Sequence, residues 1–93
     1  MKESAVEKRL VKRVKEAGGL ALKFVSPGCT GVPDRIVVLP GGRIAFVECK
    51  RPGELPRPLQ LHWIDKLRGL GFTATTVDSY EAVDRFMEEV MPR

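Results

Sequence analysis

Little in this chain supports thiol chemistry. It has two cysteines, Cys29 and Cys49, no CxxC pair and a single histidine, His62. A zinc site needs a fuller Cys/His set and a disulfide framework needs more cysteines at regular spacing, so both thiols read as small, partly buried and reduced. No apolar run approaches the roughly 20 residues that a membrane helix requires. The opening MKESAVEKRL has no apolar stretch after its first lysine, which is not the pattern of a secretory signal and implies an intracellular, cytoplasmic protein. There is no internal repeat and no low-complexity linker.

What is present bounds the rest. A chain of 93 residues suits a single domain spanning 1–93 with one core, so any active site must be compact. A hydrophobic content of 43% with 30% charged residues is that of a soluble globular protein. Sixteen Lys and Arg against 12 Asp and Glu give a net charge of +4, which suits a polyanionic partner but is shared by many proteins that never touch nucleic acid.

Ser4 followed by Glu7 has the form of a capping box, and Val6, Leu10, Val14 and Ala17 recur at helical spacing until Gly18-Gly19. A short strand is expected over 20–25, then a loop over 26–33 rich in Gly and Pro. Arg35–Leu39, the turn Pro40-Gly41-Gly42 and Arg43–Cys49 read as a hairpin. A second loop, 51–58, leads into a helix that opens at Pro58 and runs to about Leu70. A fourth strand follows over 72–77, and Asp78 with Glu81 resembles the cap of a last helix reaching about Met91 before Pro92. The order is αβββαβα. A three-strand meander followed by a helical crossover predicts an α/β fold whose mixed four-stranded sheet is covered by helices, with the last strand parallel to a neighbour.

Polar residues interrupt the apolar faces. At about 100° per residue, Glu7 falls inside the arc of Val6, Leu10 and Val14, and Gln60 falls inside the arc of Leu59, Trp63, Ile64, Leu67 and Leu70. A carboxylate turned toward a core is costly unless it meets a cation or several donors. Glu7 has the plainer alternative of bonding back to Ser4, and Gln60 that of bonding a loop backbone near its helix start. His62 points away from its apolar arc and reads as a surface residue.

The stretch IAFVECK, residues 44–50, poses the sharpest question. Side chains alternate along a strand, so Ile44, Phe46, Glu48 and Lys50 share one face and an apolar stripe ends in charge. Taken alone, ExK reads as a same-face ion pair at a strand end. Asp34 changes that reading. If the turn has three residues, Asp34 stands opposite Glu48 on its face; a two-residue turn would put it on the other side. Two facing carboxylates repel unless a proton or cation sits between them. An octahedral Mg²⁺ held by carboxylates, the Cys49 carbonyl and water fits that need, with the Cys49 thiol pointing away.

These residues together resemble the PD-(D/E)XK nuclease superfamily, and the fuller pattern is similar to its VRR-NUC branch. The pattern comprises Glu7 in the first helix, GVPDR at 31–35, ECK at 48–50, Gln60 early in the next helix, and Val77 before Ser79-Tyr80-Glu81. It spans nearly the whole chain. Each short element is weak alone; five in order within a matching αβββαβα layout are specific. One departure is the segment VDSYEAV, which lacks the arginines from which the family takes its name, and this bears on substrate preference more than on cleavage.

The resemblance implies metal-dependent hydrolysis of DNA phosphodiester bonds. It casts Asp34 and Glu48, with the Cys49 carbonyl, as ligands of Mg²⁺ or Mn²⁺, and Glu7 as completing the acidic cluster directly or through water. Lys50 would orient the attacking water or offset phosphate charge, and Gln60 would bond near Lys50 and the nucleophile. Phosphate contacts are expected from Lys23, Arg35, Arg51, Arg57 and the basic outer face of the first helix, although a run such as Lys8, Arg9, Lys12, Arg13 and Lys15 also suits a plain solvated face. Loops 26–33 and 51–58 would shape which DNA enters. Stand-alone members resemble homodimers that cut branched DNA, Holliday junctions in particular, and family analogues include phage-encoded proteins. The leading expectation is therefore a Holliday junction resolvase. A nicking or flap endonuclease and a non-catalytic DNA-binding module are the alternatives. Leu61, Phe72 and Met87 are the apolar residues to watch for a dimer patch.

Overall fold

Seven elements follow one another in the expected order: α1 (Glu3–Glu16), β1 (Leu20–Lys23), β2 (Arg35–Leu39), β3 (Arg43–Cys49), α2 (Pro58–Gly69), β4 (Thr73–Val77) and α3 (Tyr80–Val90). The computed structural model describes residues 1–91; Pro92, expected to stop the last helix, lies outside the described residues. None of the helices is long and apolar enough to cross a membrane among the described residues.

Helix α1 forms because Val6, Leu10 and Val14 recur one turn apart, and all three are fully buried. Its start differs from the expected capping box. Lys2 occupies the cap position without a side-chain cap bond, and its carbonyl accepts from the Ala5 and Val6 N–H groups. Ser4 therefore lies inside the first turn, where its hydroxyl cannot serve as the cap, and Glu7 is released to bond elsewhere. At α3 the cap is Ser79 rather than Asp78. The extended backbone of Ser79 lets its Oγ accept from the Ala82 N–H at 3.0 Å.

The strands lie in the order β1-β2-β3-β4. The first two pairings are antiparallel, and β4, returning through the α2 crossover, is parallel to β3. Leu39 pairs with Arg43, so the β2–β3 turn has the three residues Pro40-Gly41-Gly42, with Gly41 and Gly42 at φ of 83° and 73°. Carried back along the ladder from Arg35 and Val47, this register sets Asp34 opposite Glu48.

Alternation then divides the sheet into two faces. Val37, Leu39, Ala45, Val47, Cys49 and Val77 meet Val6, Leu10 and Val14 of α1 and Val83, Phe86, Met87 and Val90 of α3 in one core. Met87, watched above for exposure, is buried there. A second tie between these helices is Asp84, which accepts from Arg9 and Arg13, while the Arg9 guanidinium lies 5.3 Å from the Tyr80 ring centre. The basic run of α1 is therefore only in part a solvated face.

The opposite sheet face is less covered. Helix α2 packs on β4, and of its apolar arc only Ile64 is buried, whereas Leu59 and Leu70 are exposed. The arc is wider than the single strand beneath it. Beside it runs an aromatic row, Phe24, Phe46 and Phe72, with ring centres 5.9 and 5.5 Å apart.

Candidate active site

Strand β3 carries Glu48 and then Lys50 to the end of the α2-side face, where the fold buries both, at 5% and 4% exposure. Burying an anion and a cation together is tolerable only with close pairing and further hydrogen bonds. Both are present. Lys50 Nζ lies 3.6 Å from Glu48 Oε2, and the Gln60 amide Nε2–H donates to the same oxygen at 3.1 Å. Glu48 Oε1 accepts the Asp34 main-chain N–H at 3.2 Å, and Asp34 Oδ1 accepts the Cys49 N–H at 3.1 Å. Each carboxylate is thus gripped by the backbone beside the other, which fixes both without neutralising either. No bond to Asp34 Oδ2 is present among the described residues.

Gln60 bonds in two directions. Its Oε1 accepts the Arg57 N–H at 2.8 Å, closing the first turn of α2, while its Nε2 reaches Glu48. A glutamine supplies an acceptor and a donor at once, which leucine or alanine could not.

Glu7 and Arg35 form a pair. The Arg35 guanidinium lies 3.2 Å from Glu7 Oε2 and donates to the Ala21 carbonyl at 2.9 Å. This explains the carboxylate in the apolar arc of α1: it meets a cation. It also commits Arg35, expected on the DNA-contacting surface, to contacts inside the fold. Lys23, Arg51 and Arg57 are exposed.

The carboxylates hold protons tightly. Burial, with a smaller push from Glu7 and Glu3, raises Asp34 to about 6. Burial and repulsion from Asp34, opposed by Lys50, raise Glu48 to about 7. Lys50 offsets only part of the charge of two desolvated, mutually repelling anions, so the site favours a further cation, and oxygen donors suit a hard one. Among the described residues no group of three or more His, Cys, Asp or Glu side chains converges. Two carboxylates with main-chain oxygen, water and substrate are the donor set that Mg²⁺ accepts, so the residues present fit such an ion. The Cys49 thiol is turned into the α1–α3 core, and burial pushes its pKa up, so it stays protonated.

A sequence model of the VRR-NUC domain matches residues 2–81. The chain belongs to the VRR-NUC family. It is similar to "Putative nuclease p44" of Acyrthosiphon pisum secondary endosymbiont phage 1, with 52% identity over 81 residues that cover 87% of each chain. A solved structure described as a VRR_NUC domain superposes with a TM-score of 0.90 at 36% identity, covering 96% of this chain and 97% of the other.

In this VRR-NUC domain the fold brings Asp34, Glu48, Lys50 and Gln60 into one bonded cluster, with Glu7 close enough to raise the Asp34 pKa. Two further residues were not legible in the sequence. Lys2 lines both a groove of about 400 Å³ with Lys8, Arg9, Lys12 and Tyr80, and a second of about 330 Å³ with Glu3, Arg51 and Glu54. Trp63 donates from its indole to the Thr30 carbonyl at 3.0 Å, tying loop 26–33 to α2. Lys2 precedes the first element and Trp63 sits in an apolar arc, so no local pattern singles out either.

Proposed function

We propose that this protein is a metal-dependent endodeoxyribonuclease selective for branched DNA, a Holliday junction resolvase acting as a homodimer. The observation that carries the reading is the opposition of Asp34 and Glu48 across β2 and β3, with Lys50 beside Glu48. The family and the name of the phage relative support nuclease chemistry.

Asp34, Glu48 and the Cys49 carbonyl would hold Mg²⁺ or Mn²⁺, which when bound supplies a Lewis acid for the scissile phosphate and lowers the pKa of a water. The remaining work falls to this chain. Lys50, fixed in a buried position by Glu48, orients the attacking water or offsets charge building on the phosphate. Gln60 holds Glu48 in place from the first turn of α2. Glu7, held by Arg35, adds negative charge near Asp34 and would face the metal directly or through water.

DNA is gripped through phosphates. Lys8 and Lys12 line a basic groove with Lys2, which also borders a mixed-charge groove holding Arg51, and Lys23 and Arg57 are exposed. One active site per chain cuts one strand, so paired incisions at a junction call for two chains related by a two-fold axis. The less covered sheet face supports such pairing, because it leaves Ile44 exposed at one end of β3, about 13 Å from the buried Glu48 at the other. Two copies joined at the Ile44 end would carry their active sites on the rim of a common face.

The test incubates the protein with labelled four-way junction, flap and duplex DNA in Mg²⁺, Mn²⁺ or EDTA, beside Lys50→Ala. Symmetric junction cuts that vanish with EDTA and in Lys50→Ala are expected. Cutting of flaps or duplex alone would move the function to a flap or nicking endonuclease, and binding without cutting in either metal would leave a DNA-binding module.

A further inference from the structure

One groove beside the active site is unlike the basic ones. It has a volume of about 440 Å³ and is lined by Thr30 and Gly31 of loop 26–33 and by Arg57, Pro58, Leu59 and Gln60 at the start of α2. Its walls are mostly hydrocarbon, with one exposed cation, Arg57. The volume lies in the range of small-ligand sites, which combine an apolar lining with a few placed polar groups.

The groove is preformed. Trp63 ties the loop to the helix through Thr30, and Gly31 adopts a φ of 97° so close to Leu59 that a Cβ there would lie 2.9 Å from the Leu59 carbonyl carbon. Pro58 fixes the backbone at the first position of α2, and Gln60 closes the first turn on Arg57. The groove also touches the catalytic cluster, because Gln60 forms one wall while its amide donates to Glu48. Whatever fills it lies against Gln60, one hydrogen bond from Glu48.

We propose that this groove receives an unpaired nucleobase of the cleaved strand, next to the scissile phosphate, with Arg57 meeting the adjoining backbone phosphate; this rests on the nuclease reading. A base has an apolar face that suits Leu59 and Pro58, and its strand carries the negative charge that suits Arg57. A base stacked and paired inside a duplex cannot enter. One in a flap is already unpaired, and one at a branch point has lost a stacking neighbour, so either enters at lower cost than a base within a duplex. The groove thereby acts as a selectivity device, with Leu59 as its specificity-determining residue, and it explains why an exposed leucine stands one residue before the glutamine that positions Glu48.

The test separates this inference from the nuclease reading. Flap and junction DNA carrying 2-aminopurine at successive positions around the branch is bound in EDTA by the wild-type protein and by Leu59→Ser, which keeps a Cβ at an exposed position. The wild-type protein is expected to change the emission at one position only, and Leu59→Ser to bind the same DNA without that change. In Mg²⁺ or Mn²⁺, an abasic site at that position should slow wild-type cleavage on the order of tenfold, while Leu59→Ser cuts intact and abasic DNA at similar rates. Uniform emission at all positions, with cleavage indifferent to abasic sites, would overturn the groove as a base site even if the protein cuts DNA. A position-specific emission change without cleavage in either metal would keep the base site and remove the nuclease reading. Absence of DNA binding would overturn both.

Discussion

Asp34 and Glu48 place opposite demands on stability and on chemistry. Their pKa values of about 6 and 7 lie above the ordinary carboxylate range, so the folded protein holds these protons more tightly than the unfolded chain does. Between about pH 4 and pH 7 the unfolded chain has released protons that the folded one retains, and linkage then lowers stability as pH rises. Without metal, the denaturation midpoint should fall as pH increases from 4 to 7 and level off above it, and millimolar Mg²⁺ at pH 8 should recover the loss. A midpoint that rises over that interval would contradict the burial-driven repulsion described here. Asp34→Asn removes one charge while keeping the oxygen that accepts the Cys49 N–H. At pH 8 without metal it should be more stable than the parent by about 1 to 2 kcal/mol, after discounting for solvent screening, and it should be inactive and insensitive to Mg²⁺ in the same melts. Most of this cluster could be read from the chain, because strand alternation and one turn length decide which side chains share a face. The partner of Glu7 could not. It depended on the helix starting at Glu3, which moved Ser4 into the first turn, and on Arg35 folding back toward α1 rather than outward.

At the scale of elements, strand ends and helix caps were legible to within a residue or two, since Gly and Pro mark them. How much of α2 is buried was not. Its arc of apolar residues predicts a wide contact, but the sheet offers it chiefly β4, and the length of that strand and its place at the edge are settled by tertiary pairing. The join between loop 26–33 and α2 carries a prediction of its own. Gly31 combines a φ of 97° with a close approach to Leu59, so Gly31→Ala meets both backbone strain and a clash with main-chain atoms. It should cost about 2 kcal/mol or more in urea unfolding, whereas Gly41→Ala, in the open turn with nothing within 4 Å, should cost only the backbone preference, about 1 kcal/mol. Equal costs at the two positions would mean that the loop does not rest on α2. On the other side of the sheet, Met87→Ala removes a fully buried side chain from the α1–α3 core and should cost about 2 to 5 kcal/mol by the same measurement.

At the scale of the whole molecule, one sheet face is covered by two helices and the other by one, and the difference leaves apolar surface in water. Leu20 is 59% exposed, Leu22 48%, Ile44 43% and Phe72 41%. Leu20, Val38 and Ile44 are cross-strand neighbours, as are Leu22, Ile36 and Phe46, so these residues form one surface rather than scattered points. The sequence could not reveal this, because a β-strand pattern shows which residues share a face but not which face a helix will cover. The four exposed side chains alone present an apolar area of roughly 400 Å², the size of the largest patch on a typical monomer, which is often functional. Two copies meeting there would bury about 800 Å² from these residues, and the surrounding Phe24, Ile36 and Val38 would bring the contact toward the size of a specific dimer. The site ends of β2 and β3 would then remain at the rim of that contact, where DNA could reach Asp34 and Glu48. Placing a carboxylate on this surface should therefore separate assembly from chemistry. Leu22→Glu is expected to shift the protein from dimer to monomer in sedimentation velocity, with its circular dichroism unchanged because the side chain already faces solvent in the single chain. The monomer keeps all of Asp34, Glu48, Lys50 and Gln60, so it should still cut one strand of a junction but lose simultaneous incision of both. If Leu22→Glu stays dimeric and makes paired cuts, the two-fold contact lies on another face. If the parent itself sediments as a monomer at concentrations where it resolves junctions, then two chains must meet only on the DNA.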